Sequence, residues 1–114
     1  MKVEIWKDIK GYEGYYQISN LGNVKSIKRK NVPNDMVLKS RKLQNGYNYI
    51  LLWKDRKSKH FLIHRLVAEA FVEGDKSLQV DHIDGNKNNN YYLNLRYVTG
   101  KENINNPNTK YKNS

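Results

Sequence analysis

Apolar and polar positions follow two rhythms along this chain, and the change falls at His64. Before it, short strand-like runs alternate with turn residues. Residues 3–30 predict a β-hairpin, in which Tyr15-Tyr16-Gln17-Ile18-Ser19 and Val24-Lys25-Ser26-Ile27-Lys28 flank Asn20-Leu21-Gly22-Asn23. The Asn and Gly there suit a turn that needs positive φ. Asn31 to Asp35, with Pro33, predicts a loop. Val37 to Leu43 reads as one strand, Asn45-Gly46 as a hairpin turn and Tyr47 to Trp53 as the next strand. Lys54 to Lys59 reads as a charged turn, and His60 to Ile63 as a short returning strand.

From His64 the period becomes helical: Leu66, Val67, Ala70 and Phe71 share a face, and Gly74 supplies a stop. Residues 78–83 predict a short strand, and Asp84 to Leu93 a long loop rich in Asn and Gly. Leu95 to Thr99 predicts another strand. Lys101 to Asn106 opens a last helix that Pro107 ends, and Asn108 to Ser114 form a polar tail. The fold class expected is α+β, an antiparallel β-rich N-terminal module followed by a helix and a ββα unit. The expected boundaries are 1–60, 61–107 and 108–114.

Composition narrows the function. At 114 residues the chain is one domain or two small modules in one body. No apolar run approaches the roughly 20 residues that span a bilayer. Met1-Lys2-Val3-Glu4 begins no apolar signal segment, so no membrane partner and cytoplasmic residence are expected. Cysteine is absent, which removes disulfides, thiol catalysis and thiolate-held zinc. The net charge of +10 is uneven: residues 1–60 carry 14 Lys/Arg against 5 Asp/Glu, and residues 61–114 carry 7 against 6. The basic half suits a polyanion, and the near-neutral half leaves room for acidic groups with separate tasks.

The stretch with chemistry is Val80-Asp81-His82-Ile83-Asp84-Gly85-Asn86-Lys87, followed by Asn94-Leu95-Arg96 and Glu102-Asn103. Two antiparallel strands with a helix across them bring the end of the first strand to one helix face. Asp81 and His82 are adjacent, so a regular strand would point them to opposite faces. A bend or bulge at the strand end is expected to let both reach one site. A carboxylate and an amide oxygen are hard ligands that suit Mg²⁺ or Mn²⁺ with water completing the shell. A neutral imidazole can take a proton from an attacking water, an effect of roughly 10²–10⁴-fold. Its second nitrogen needs a partner to fix the tautomer, and Asn94 can offer its side chain or its carbonyl.

The run 81–87, with Asn89-Asn90, Asn94-Leu95-Arg96 and Glu102-Asn103, resembles the HNH homing endonucleases of phages and introns, whose fold is the ββα-metal motif. His64-Arg65-Leu66-Val67-Ala68-Glu69-Ala70-Phe71 is similar to the helix that precedes that motif. Residues 4–29, especially Trp6-Lys7-Asp8-Ile9, Gly11-Tyr12-Glu13-Gly14-Tyr15 and Ser19-Asn20, resemble the modular segment often attached ahead of it. Together the three pieces cover most of residues 4–105. The resemblance implies a phosphodiester hydrolase acting on double-stranded DNA with one divalent ion, Mg²⁺ or Mn²⁺. It makes Asp81 a metal ligand, His82 the general base, Asn94 the middle Asn that orients the histidine, and Asn103 the last metal ligand. Longer homing relatives carry a C-terminal DNA-binding extension, and this sequence ends soon after Asn103, so highly specific recognition of a long site is not expected.

Lys25, Lys28, Arg29, Lys39, Arg41 and Lys42 are the expected DNA contacts from the basic half, with Arg96 beside the scissile phosphate. His64 and Asn90 are expected to serve structure, and the oligomeric state stays open: a monomer can cut one strand, and a double-strand break needs dimerisation or two successive events. The rival readings are a non-catalytic DNA-binding module on the same scaffold and an RNA binder or ribonuclease.

Overall fold

The computed structural model describes the backbone of residues 2–104 and the side chains of residues 2–102. The expected stop at Pro107 and the tail from Asn108 lie outside the described residues. Four strands, β1 (Trp6–Asp8), β2 (Tyr16–Ser19), β3 (Val24–Ser26) and β4 (Met36–Leu38), pair antiparallel in that order. The expected hairpin is β2–β3, with Gln17 opposite Lys25 and Ile18 opposite Val24. Its turn is tied by Ser19, whose hydroxyl accepts from the amides of Leu21 and Asn23. β1 was not legible in the sequence, because its three residues carry too little apolar alternation to declare a strand.

The expected strand Val37 to Leu43 is divided between two sheets. Its first part pairs with β3, while Arg41–Lys42 (β5) pairs with β6 (Asn48–Lys54) in a second sheet that β7 (Lys57–Leu62) completes. The chain therefore changes sheets at Lys39-Ser40. The charged turn expected over 54–59 contracts to Asp55-Arg56, at φ 54° and 64°, the left-handed pair that matches the twist of a two-residue hairpin. Lys57 and Lys59 become strand residues, because pairing opposite Lys54 and Leu52 outweighs their weak strand preference.

Helix α1 (Ile63–Phe71) buries Ile63, Leu66 and Val67, the i, i+3, i+4 face. It packs against β2 of the first sheet, β6 and β7 of the second, and the strands β8 (Gln79–His82) and β9 (Leu95–Val98) that follow. Ile18, Val24, Leu52, Ile63 and Val67 form the centre of the core, and Val80 and Leu95 extend it beneath the last strand pair. A short helix, α2 (Gly100–Ile104), packs on β8 and β9. Thr99 begins it with a reciprocal cap: Glu102 N donates to the Thr99 hydroxyl and Thr99 N donates to the Glu102 carboxylate. No helix among the described residues is long and apolar enough to cross a membrane.

Candidate active site

Strand β8 ends in two buried polar residues, Asp81 at 5% and His82 at 4% exposure. Burying an unpaired charge is costly, so their partners define the site. Asp81 stands opposite Arg96 across the β8–β9 pair, and Arg96 Nε donates to Asp81 Oδ2 at 3.1 Å. His82 Nε2 lies 2.7 Å from Asn90 Oδ1, in a bond between two buried side chains. The amide oxygen can only accept, so Nε2 carries the proton and the basic lone pair of the neutral ring is on Nδ1.

The register from Gln79↔Val98 to His82↔Leu95 contains no inserted residue. Of the bend or bulge expected to bring Asp81 and His82 to one site, the bulge is therefore absent from the paired strand. Instead the two side chains diverge at the strand end, Asp81 to Arg96 and His82 to Asn90. A third residue lies near both. Tyr47, just beyond the Asn45-Gly46 turn, has its ring centroid 5.9 Å from His82, and burial and the nearby Asp81 carboxylate both push its phenol pKa upward. His64 completes the cluster, 4.8 Å from Tyr47 and 4.9 Å from His82 by ring centroids.

Burial pushes the His64 pKa down to about 3, with His82 and Arg65 acting in the same direction. His64 is thus a neutral wall. Burial also holds the His82 pKa below its ordinary value, against the opposing pull of the Asn90 bond and of Asp81 and Asp84. An imidazole neutral at physiological pH is the result.

Asn94 does not touch the His82 ring through its side chain in this arrangement. Its Nδ2 donates to Asp84 Oδ1 at 2.9 Å and to the Asn89 carbonyl at 2.8 Å, and its Oδ1 accepts from Asp84 N. Its carbonyl accepts from Ile83 N, beside the histidine. Asn94 therefore shapes the 84–94 loop, and Asn90 holds the ring. Slight burial works to raise the Asp84 pKa, but bonds from Asn89, Asn86 and Asn94 outweigh it and hold that carboxyl below its usual range. Asn103 sits on α2, against the strand that carries Asp81, and its side chain lies outside the described residues.

The donor set suits a hard divalent cation. Among the described residues no three His, Asp or Glu side chains converge on a metal position. Asp81 is the described carboxylate, which fits an ion that keeps several waters. Arg96, expected at the scissile phosphate, holds that carboxylate instead.

The expected DNA contacts separate into two groups. Lys28, Lys39, Arg41 and Lys42 are exposed. Lys42 Nζ also donates to Asn88 Oδ1 on the 84–94 loop. Arg29 is turned inward: its guanidinium donates to the Tyr15 and Ile27 carbonyls and lies over the Tyr15 and Tyr16 rings. Lys25 lies over Trp6, 4.2 Å from its ring centre. Both are half-buried, because a guanidinium or an alkyl-ammonium stem beside an aromatic face gains more by covering it than by extending into water.

The sequence did not single out Tyr47, and it gave His64 and Asn90 only structural parts. One signal was present for His64: it interrupts the buried surface of α1 as a polar residue beside Ile63. Asn90 is indistinguishable in the sequence from Asn88 and Asn89.

Known proteins resemble this chain over both of its parts. Residues 4–53 match the NUMOD4 motif and residues 61–104 match the HNH endonuclease model. The DNA endonuclease I-HmuI of Bacillus phage SP01 is 53% identical over 102 residues, which are 89% of this chain and 56% of that protein. An uncharacterised HNH endonuclease of Acanthamoeba polyphaga mimivirus is 38% identical over 108 residues, covering 90% of this chain and 26% of the relative. A solved structure of DNA binding and cleavage by the HNH homing endonuclease I-HmuI superposes with a TM-score of 0.78 at 50% identity, covering 90% of this chain and 56% of that one. The chain thus spans about half the length of I-HmuI and about a quarter of the mimivirus relative.

Proposed function

This chain belongs to the HNH endonuclease family, with a NUMOD4 motif ahead of its HNH domain, and on that premise we propose that it hydrolyses a phosphodiester bond of double-stranded DNA. The reading assigns His82 the proton of the attacking water and Asp81 the binding of one divalent ion, Mg²⁺ or Mn²⁺, with Asn103 as second ligand. When bound, the ion neutralises charge on the scissile phosphate and the leaving oxygen. The observation that carries the reading is the His82 Nε2 bond to Asn90, which fixes a neutral tautomer beside a buried carboxylate.

Other residues of the chain support the same task. Asn94 and Asp84 close the loop that presents Asn90. Exposed Lys28, Lys39, Arg41 and Lys42 give the N-terminal half a cationic surface for the phosphate backbone. One such centre cuts one strand at a time, so a nick is the expected first product of a homing-type enzyme.

The test is cleavage of supercoiled and linear duplex DNA by purified protein with Mg²⁺ or Mn²⁺. Wild type is expected to cut, and His82→Ala to bind DNA with unchanged affinity and leave it intact. Intact DNA with the wild type, or equal cutting by His82→Ala, would overturn the reading.

A further inference from the structure

The hydrogen bond that His82 Nε2 donates to Asn90 fixes one atom of the ring, and the plane of the ring depends on what packs against its faces. Something must hold the plane if Nδ1 is to meet a water in one orientation. The neighbouring rings are placed for this. Tyr47 and His64 are stacked, with 24° between their planes, and the Tyr47 and His82 planes are within 28° of each other. His64 touches His82 from α1, at 46°.

Tyr47 is itself held from both sides. Its amide donates to Asn45 Oδ1 and its carbonyl accepts from Leu43 N, which seats it where the β5–β6 turn closes. From the catalytic loop, Lys87 Nζ lies 4.6 Å from the Tyr47 ring centre and donates to the Asn45 carbonyl at 2.7 Å. Unlike Tyr12, Tyr15 and Phe61, Tyr47 is not packed on the hydrophobic core. Its ring is committed to the histidines.

We propose that Tyr47, contributed by the NUMOD4 segment, is a positioning residue of the cutting centre, whose stacked ring fixes the plane of the His82 imidazole. The inference rests on His82 acting as the base. It makes the hairpin that carries Arg41 and Lys42 a structural part of the active site as well as a grip for DNA.

The test compares the full-length wild type with Tyr47→Ala and Tyr47→Phe, using duplex DNA and Mn²⁺ in single-turnover reactions, alongside NMR of the His82 imidazole without DNA. Because small misplacements of a reacting group can cost on the order of a hundredfold, Tyr47→Ala is expected to cut at least about tenfold more slowly at saturating DNA. Its DNA affinity should stay at the wild-type level, and its His82 ring signals should shift and broaden. Tyr47→Phe keeps the ring and should restore both rate and signals. Wild-type rate and unchanged signals in Tyr47→Ala would overturn the inference, as would a loss confined to affinity or a Phe variant as impaired as the Ala variant. If the wild type itself leaves DNA intact, the nuclease reading fails separately, and the His82 signals still decide whether Tyr47 sets the ring.

Discussion

His82 Nε2 and Asn90 Oδ1 lie 2.7 Å apart, eight residues from each other along the chain and both out of solvent. Partners of this kind fix the tautomer of a functional histidine, and their loss typically costs about 10–100-fold in activity. Asn90→Ala is expected to fall in that range at saturating DNA. Asn90→Asp should raise the His82 pKa and move the acidic limb of the pH–rate profile upward, which a profile between pH 5 and 8 will measure.

Arg96 and Asp81 make a different kind of pair. The carboxylate is buried, whereas the Arg96 side chain is 45% exposed. Arg96→Ala leaves Asp81 without that donor, and the cost should be about 1–2 kcal/mol once the exposure of Arg96 is allowed for. A divalent ion on Asp81 should replace part of the lost compensation. Melting curves with and without Mn²⁺ check this: the ion should stabilise Arg96→Ala more than it stabilises the wild type, and equal stabilisation would contradict it.

Gly22 reaches the same site from the first sheet. It has φ +95°, and a Cβ built there would stand 2.9 Å from the Cβ of Asn90. The contact is reinforced next door, where Tyr92 N donates to the Asn20 carbonyl at 2.9 Å. Gly22→Ala therefore combines left-handed strain of about 1 kcal/mol or more with pressure on the residue that holds His82. Reduced melting temperature and slowed cleavage should appear together, whereas an alanine at the exposed Gly14 turn, with nothing near its Cβ, should lower stability alone.

The His64 pKa predicts how stability varies with pH. A histidine near 6.5 when unfolded and about 3 when folded takes up its proton more readily in the unfolded chain. Its contribution is fully present above pH 6.5 and is lost as pH falls towards 3, with a slope approaching about 1.4 kcal/mol per pH unit. The lowered His82 pKa adds in the same direction. Denaturant midpoints from pH 7 to 4 should fall, and His64→Phe should flatten the dependence.

Phosphate contacts release counterions, so each one lost should reduce the salt slope of DNA affinity by about 0.9. Replacing Lys39, Arg41 and Lys42 with Gln should reduce that slope by roughly two to three. Arg29→Ala should leave the slope nearly unchanged and lower stability instead, because its guanidinium serves the Tyr15 and Ile27 carbonyls. Affinity measured across a salt series separates the two outcomes.

The α1 helix, the β8–loop–β9 order and the Asp81-His82 pair were legible because each has a local signature: a helical period, a turn composition, an adjacent acid and imidazole. The division of residues 37–43 was not. Met36–Leu38 and Arg41–Lys42 are both extended, and only their distant partners, β3 and β6, assign them to different sheets. The choice of Asn90 over Asn88 or Asn89 was equally hidden, since three like side chains differ only in which one faces His82. Tyr47 reads as an ordinary strand aromatic until the hairpin folds over the catalytic loop. What is local in the chain could be read; what depends on which segment arrives opposite could not.

The hairpin tip and the Gly22 turn both belong to the segment ahead of the HNH domain, and both press on the residues around His82. Such modules invite recombination, in which one cutting head is joined to another grip. Here the junction passes through the working parts. A chimera that replaced residues 4–53 while keeping 61–104 would inherit Asp81, His82 and Asn103 yet lose the side chains that pack around His82. Successful exchanges should be those whose donor also brings an aromatic at the place of Tyr47 and a glycine at the place of Gly22.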